Sequence, residues 1–318
     1  MTNNQSLIRN EEPEGITLNL NDKASELVKE YLNNIDGTTA TKNNYEKALN
    51  KFLLYAYDHI DQSPRRQDII AYKTYLKSKN YRSCTISAYL SVVRSFFNFL
   101  QSEKIYPNIA KGIKEKDAGE ELIRDCLTID QAKNLLKHIN TFTTPEGLRN
   151  KALIMLLMTT GLRVIEAERS NISNIGKKNG ENALYIQGKG KGDKYNYVIL
   201  DDETLKALND YLDTRQPINK EEPLFISLSD RNQGGRLTTR SLSRIVKETF
   251  KQIGIDNEKL TAHSLRHTAL TFSLTAGAKV EEVKAMARHS NINTTMRYIH
   301  LLNRTKNSPE KLVLQLLK

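Results

Sequence analysis

The sequence predicts a mainly α-helical protein of two domains, with a small antiparallel β-sheet in the second domain. Three observations predict this fold class. Apolar residues recur at helical spacing from about residue 22 to residue 100, and an unusually apolar helical segment lies at 150–158. Three short strand-like segments follow it, at 173–175, 183–187 and 195–200. Helical segments outnumber strands in both halves, so the sheet is expected to be a minor part of the second domain.

The 318-residue chain carries 48 Lys and Arg residues against 37 Asp and Glu residues, which gives a formal net charge of +11. A basic surplus of this size suits a polyanionic partner, and charge alone fits RNA, DNA or an anionic membrane equally well. No run of about 18 apolar residues is present, and the N-terminus lacks the basic and then apolar plan of a signal peptide. We therefore expect a soluble cytoplasmic protein with no membrane partner.

The first domain is predicted at 21–108, after a flexible N-terminal arm at 1–20 that is polar and has no period. Four segments with apolar residues at helical spacing predict a small helical bundle. Two of its helices carry small polar and basic side chains on one face: Lys42, Asn43 and Lys47 on one, Ser87 and Arg94 on the other. Such faces either are solvated or position DNA phosphates, and the residues alone leave both open.

The second domain is predicted at 126–301, after an interdomain linker at 109–125 in which glycine and mixed charge occur without a period. It opens with Thr128 and Gln131 in the spacing of a capping box. The tail, 302–318, ends in an apolar segment typical of a short helix, which needs a groove to be stable.

Charged residues follow the apolar helix directly. Arg163 and Glu166 come just after Gly161, where that helix ends. An unpaired buried arginine is costly, so Arg163 needs either an ion pair with Glu166 or an anionic ligand. Farther on, Lys189 and Lys191 lie in a glycine-rich hairpin tip that lacks the pattern of a nucleotide-binding loop and is ordinarily a solvated turn.

The densest cluster of candidate functional residues lies at 261–300, which holds four of the six histidines. Helical spacing places His263, Arg266 and His267 on the first turns of an amphipathic helix. Fixed guanidinium and imidazole groups suit a phosphodiester, because guanidinium grips its oxygens in a bidentate fork. A phenol with a pKa of about 10 is a poor nucleophile alone, but neighbouring cations favour the phenolate. Tyr298 is therefore a candidate nucleophile.

The segments TTGLRVIEAERS, HSLRH and ARHSNINTTMRYIH resemble the two catalytic motifs of the tyrosine recombinase family, which includes phage integrases and Xer-like enzymes. The resemblance covers most of the chain. It implies a helical SAM-like core-binding domain followed by an α+β tyrosine-recombinase catalytic domain. One departure is visible, because Arg288 stands where the family commonly has glycine.

The resemblance also implies roles for the matched residues. Arg163, His263, Arg266 and His289 would bind the scissile phosphate, and Tyr298 would be the nucleophile.

The supporting residues follow from the same match. Glu166, His267 and His300 would support the site. Lys189, directly after a strand, would be the general acid that protonates the departing oxygen, with Lys191 as the alternative.

What the resemblance implies about function is a site-specific DNA recombinase. It would work through a 3′-phosphotyrosine intermediate and a Holliday junction, in mobile-element integration and excision or in Xer-type dimer resolution. The implied partners are double-stranded DNA, a homotetramer on two DNA sites that exchanges the tail between protomers, and an accessory DNA-bending protein. No metal or cofactor is implied. Arg240 and Arg244, on a helix that begins after Thr238, either lie against DNA or face water.

Three alternatives stay open. A type IB topoisomerase-like enzyme shares the chemistry but rejoins the same strand after rotation. A DNA-binding regulator on the same fold would lack catalysis. A metal-dependent nuclease would use His263 and His267, although no nearby acidic cluster has suitable ligand spacing.

Overall fold

The computed structural model describes residues 20–61, 63–115, 126–187, 196–215, 219–289, 291–292 and 295–296, with backbone only for 20–23. The chain divides into two compact units, Met1–Leu122 and Ile123–Lys318. The predicted arm, apart from Leu20, and the predicted tail lie outside the described residues. The domain boundaries that we drew from the sequence stay predictions.

The first unit is a bundle of four helices. They are α1 (Leu20–Asn34), α2 (Thr39–His59), α3 (Arg66–Ser78) and α4 (Ser83–Ser102). Apolar residues at helical spacing on these helices converge on one core, in which Leu49, Phe52, Tyr72 and Phe97 are fully buried. The ring of Phe52 contacts Tyr72 edge to face, with centroids 5.2 Å apart. Within its described residues this unit contains no strand.

The segment after α4 packs onto the same core. Ala110 and Ile113 are buried in it. The Arg94 guanidinium donates to the Ile113 carbonyl at 2.5 Å, and the Arg66 guanidinium donates to the Lys111 carbonyl at 2.6 Å. The packing of the first unit therefore extends past residue 108, into the segment for which sequence composition predicted a linker.

The second unit is built around one central helix, which other helices enclose. Its helices are α5 (Ile129–Ile139), α6 (Pro145–Thr160), α7 (Val164–Arg169), α8 (Asp202–Asp213), α9 (Thr239–Gln252), α10 (Ala262–Thr275) and α11 (Val280–Ala287). The central helix is α6, which contacts α5, α8, α9 and α10. Leu153, Ile154, Leu156 and Leu157 are fully buried, because a helix that is apolar on all sides is stable only when other elements enclose it.

Polar side chains fix where these helices begin. Thr128 and Gln131 form the predicted capping box of α5, each side chain accepting a hydrogen bond from the other's amide. Asp201 caps α8 and Thr238 caps α9 in the same way, through their side-chain oxygens. The starts at Thr128 and Thr238 agree with the sequence prediction.

A three-stranded antiparallel sheet lies between α7 and α8. Its strands are β1 (Ile175–Lys178), β2 (Glu181–Ile186) and β3 (Asn196–Ile199), in the order β1-β2-β3. The last two correspond to predicted strands. The first strand was predicted at 173–175, but it begins only at Ile175. Residues Ile172–Asn174 form a 3₁₀ turn, because the Asn174 side chain accepts from the Asn171 amide and competes with strand pairing.

The predicted fold class, mainly helical with a small antiparallel sheet in the second domain, is confirmed. Within the described ranges, no helix combines the length and the apolar character that crossing a bilayer requires. The predicted hairpin tip with Lys189 and Lys191 falls between 187 and 196, outside the described residues.

Candidate active site

A left-handed turn after α6 sets up the first arginine of the site. Gly161 ends that helix with φ +62°, a conformation that glycine adopts without steric cost. Arg163 is then the N-cap of α7. Its amide donates to Oε2 of Glu166 at 2.8 Å, and its Nη1 donates to Oε1 at 2.9 Å. The Arg163 side chain is 31% exposed and that of Glu166 only 4%. Arg163 therefore combines a fixed backbone with an accessible guanidinium.

The second arginine, Arg266, is almost fully buried on the second turn of α10. Its Nη1 donates to the Gly161 carbonyl and its Nη2 to the Ala287 carbonyl, each at 2.5 Å. Those carbonyls lie at the C-terminal ends of α6 and α11, where backbone oxygens lack partners within the helix and the helix dipole is negative. Arg266 therefore joins three helices at the point where the two sequence motifs meet.

The His289 side chain is held at both ring nitrogens. Its Nε2 lies 3.1 Å from Nη2 of Arg266, and its Nδ1 lies 2.9 Å from Oγ1 of the buried Thr295. A guanidinium only donates, so Nε2 accepts and Nδ1 carries the proton. Burial, and then the charges of Arg266, Arg163 and Arg288, lower the pKa of His289 to about 4. The imidazole is therefore neutral at neutral pH.

The residue before this histidine, Arg288, also belongs to the site. Its Nη2 donates to Oε2 of Glu166 at 2.7 Å, and its Nη1 donates to the Met286 carbonyl at 2.6 Å. Burial raises the pKa of the Glu166 carboxyl, but the charge of Arg288 and the Arg163 amide outweigh it and hold that pKa below its ordinary value. Glu166 is thus an anion shared by two arginines from distant parts of the chain.

The remaining candidates divide into two groups. His263 and His267 lie on the first turns of α10, with their rings edge to face and 4.7 Å apart. His263 contributes to the lowered pKa of His289, which places the two rings in the same electrostatic environment. Tyr298 and His300, like the two hairpin lysines, lie outside the described residues.

Comparisons with known proteins match both units. The profile of the phage integrase family matches residues 125–304, which is more than half of the chain. The chain belongs to the phage integrase family. A second profile, the N-terminal SAM-like domain of phage integrases, matches residues 28–104.

Two curated relatives are tyrosine recombinases. The XerD recombinase of Oceanobacillus iheyensis is 32% identical over 270 residues, which cover 82% of this chain and 87% of that protein. The XerC recombinase of Herpetosiphon aurantiacus is 30% identical over 244 residues, covering 75% and 76%. The predicted class of enzyme, a site-specific tyrosine recombinase, is therefore confirmed.

Solved structures show the same fold. The XerH recombinase, crystallised bound to palindromic difH substrate in a post-cleavage complex, superposes with a TM-score of 0.74 at 22% identity, over 91% of this chain and 84% of that one. The Tn1549 transposon integrase in complex with transposon right end DNA gives 0.69 at 18% identity, over 86% and 93%.

The DNA-binding residues predicted from the sequence have different environments. Asn43 and Lys47 are exposed on α2, Lys42 on the same helix and Ser87 on α4 are half-buried, and Arg240 and Arg244 are exposed on α9. Arg244 lies 3.7 Å from Glu248 in a solvated ion pair. Arg94 instead contacts the backbone of its own unit at Ile113.

Two residues of the site carried no role in the sequence prediction. Arg288 was noticed only as a departure from the glycine that the family commonly has, and that departure was the available signal. Thr295, which contacts His289, follows the polar residues 291–294 and gave no separate signal in the sequence. In the described part of the chain, no three His, Cys, Asp or Glu side chains cluster closely enough to hold a metal ion.

Proposed function

We propose that this phage integrase family member cleaves double-stranded DNA at a specific site and rejoins it to a different strand, through a covalent bond between Tyr298 and a 3′-phosphate. The observation that supports this proposal is the convergence of two sequence-distant motifs on one network of hydrogen bonds. Arg163 and Glu166 come from the first motif, and Arg266 and His289 from the second.

The network suits the binding of a phosphodiester. The Arg163 guanidinium is accessible, and the Arg163 backbone is fixed by a hydrogen bond to Glu166. Arg266 supplies a buried positive charge that is fixed before DNA binds. Charges that are already in place stabilise the phosphorane without reorganisation at the moment of reaction. A phosphate next to His289 favours protonation of its imidazole, which would turn Nε2 from an acceptor into a donor. His263 would complete the phosphate site, with His267 and His300 in support.

The chemistry conserves the bond energy of the DNA backbone. The phenolate oxygen of Tyr298 attacks the phosphorus, the bond from phosphorus to the 5′-oxygen breaks, and Lys189 or Lys191 gives that oxygen a proton. The 5′-hydroxyl of a second strand then attacks the phosphotyrosyl bond and releases the phenol. Two strand exchanges in succession form and resolve a Holliday junction. No metal ion or cofactor takes part in this scheme.

The proposed partners follow from this scheme and from the relatives. Relatives solved with DNA support double-stranded DNA as the substrate. We propose a homotetramer on two DNA sites, with the tail exchanged between protomers and an accessory DNA-bending protein at some sites. The enzyme would act in the cytoplasm on the chromosome or a mobile element, either in integration and excision or in dimer resolution.

A covalent trapping assay tests the proposal. The substrate is a nicked duplex carrying a candidate site from the DNA that flanks the gene, incubated in EDTA and resolved on a denaturing gel. Wild-type protein and Tyr57→Phe, whose exposed tyrosine lies on α2, should form a protein–DNA adduct, and Tyr298→Phe should form none. Binding of all three proteins without any adduct would contradict the proposal and indicate a non-catalytic regulator. Strand transfer to a second duplex distinguishes recombination from relaxation by a topoisomerase-like enzyme.

A further inference from the structure

Arg288 has a backbone conformation that ordinarily favours glycine. It follows α11 with φ 55° and ψ 44°, in the left-handed region where a side chain costs free energy. Three other described non-glycine residues with positive φ, Asn80, Lys104 and Asn179, are exposed. The Arg288 side chain is only 10% exposed. This arginine is therefore strained in its backbone and also buried as a charge.

The contacts of the side chain explain why the strain is tolerated. The guanidinium spans from the Met286 carbonyl to Oε2 of Glu166, while its buried Nε donates to no residue that the structure describes. A strained residue persists only where its surroundings require it, and a buried cation is stable only when it is paired. The ion pair with Glu166 both stabilises the buried charge of Arg288 and holds the strained backbone in place.

Glu166 also determines what Arg163 can do. Its carboxylate is 4% exposed and accepts from Arg163 through Oε1 and from both Arg288 and the Arg163 amide through Oε2. Without Arg288, Arg163 would be the only cation among the described residues in direct contact with this buried anion. Its guanidinium would then be drawn to Glu166 and away from a phosphate. With Arg288 present, Arg163, Arg288 and Glu166 together carry a net positive charge, and the Arg163 guanidinium is available to a phosphate.

We propose that Arg288 is a positioning residue for phosphate binding. It neutralises and orients Glu166, and thereby keeps the Arg163 guanidinium directed toward the scissile phosphate. It also connects the first motif to the turn that carries His289, across 122 residues of sequence. This inference rests on the proposed function, because it assigns Arg163 to the substrate. Arg288 itself need not touch DNA.

The most informative variant is Arg288→Gly, because glycine relieves the backbone strain while removing the guanidinium. The relieved backbone strain offsets part of the stability that is lost with the buried ion pair to Glu166. Lys104→Gly is the matched control, since it also removes a cation at a left-handed position, with φ 58°, but on the exposed end of the first unit. Arg288→Lys keeps the charge but not the fork of donors that reaches both Glu166 and Met286.

Two measurements on the nicked duplex test the proposal. In single-turnover cleavage, Arg288→Gly should lower the rate by about 10²-fold, the size expected when a reacting group is misplaced by about an ångström. Arg288→Lys should recover part of that loss, and Lys104→Gly should cleave like wild type. The acid limb of the rate profile should move to higher pH in Arg288→Gly, because Glu166 loses the charge that holds its pKa low.

The second measurement needs no catalysis. In a Tyr298→Phe background, affinity is compared for a duplex with a normal scissile phosphate and one with a neutral methylphosphonate there. Arg288→Gly should reduce the preference for the charged phosphate, and Lys104→Gly should not. An unchanged cleavage rate, pH profile and phosphate preference in Arg288→Gly would overturn the role of Arg288. Absence of any wild-type adduct, with the preference still lost in Arg288→Gly, would instead contradict the proposed function alone.

Discussion

The arginines of the candidate active site and the exposed Lys47 of the first unit are held in different ways. In the second unit, Arg266 is almost fully buried and donates to two backbone carbonyls, and Arg163 is fixed by a carboxylate at both its amide and its guanidinium. In the first unit, Lys47 is exposed on α2. A fixed charge can stabilise a transition state, whereas an exposed lysine contributes a screened and adaptable attraction to phosphate. The fixed arginines therefore suit the stabilisation of a transition state, and an exposed lysine such as Lys47 suits a general contact with phosphate.

The largest expected effect is that of Arg266→Ala. It should abolish cleavage and also lower the free energy of unfolding by roughly 2–5 kcal/mol, because two buried carbonyls, on Gly161 and Ala287, lose their donor. Arg163→Ala should lower cleavage by about 10²- to 10³-fold. Its stability cost should be about 1 kcal/mol or less, because Arg163 is partly exposed and Arg288 still pairs with Glu166.

Urea unfolding and single-turnover cleavage of both variants check this pair. If Arg163→Ala destabilised the protein as much as Arg266→Ala, the distinction between an accessible and a structural arginine would fail. Lys104→Gly is again the control, because Lys104 is neither an accessible nor a buried cation of the candidate site.

The next effect concerns acid stability. The pKa of His289 is about 4 when folded and about 6.5 when unfolded. Between these values the unfolded chain binds more protons, so stability falls as pH drops from about 6.5 to about 4. The low pKa of Glu166 acts in the same direction, because the stability it contributes is lost as pH falls through its folded value.

His289→Gln should therefore weaken the pH dependence of unfolding in that window by up to about one proton. Urea midpoints measured in steps of pH check this, with wild type as reference. An identical slope in His289→Gln would mean that the imidazole is not buried among cations as described.

The smallest effect belongs to the first unit. Lys47→Ala should weaken DNA binding evenly across sequences and reduce the salt slope by about one, because one phosphate contact is lost. Arg94→Ala should instead cost about 1 kcal/mol of stability, since its guanidinium holds the Ile113 carbonyl. Binding titrations at several salt concentrations, paired with thermal unfolding, distinguish the two. A salt slope lowered equally by both variants would place Arg94 on the DNA-binding face as well.

Much of the fold followed from local rules. The apolar segment after Asn150 had to be enclosed, and it forms most of α6. The caps at Thr128 and Thr238 could be predicted because a capping side chain acts within three residues of its own position. The predicted start of the first strand, at 173, was wrong for a related reason, because the Asn174 side chain accepts a hydrogen bond from the nearby Asn171 amide.

The parts that could not be predicted depend on contacts between distant residues. Periodicity cannot show that Arg288 reaches Glu166 or that Arg94 holds Ile113, because neither pairing repeats along the chain. The left-handed backbone conformation of Arg288 also could not be predicted from the sequence, which shows only an arginine where the family commonly has glycine. The motifs predicted roles for Arg163, Arg266 and His289, but the hydrogen bonds that join them to Arg288 and Thr295 are visible only in the fold.

Mass spectrometry of the trapped adduct is the most direct test of the central claim, that Tyr298 forms a covalent bond to DNA next to this network. The adduct is digested with nuclease and protease, and the peptide that retains a nucleotide is sequenced. We expect one modified peptide, with Tyr298 bonded to a 3′-phosphate. A nucleotide on any other residue, or a bond to a 5′-phosphate, would contradict it.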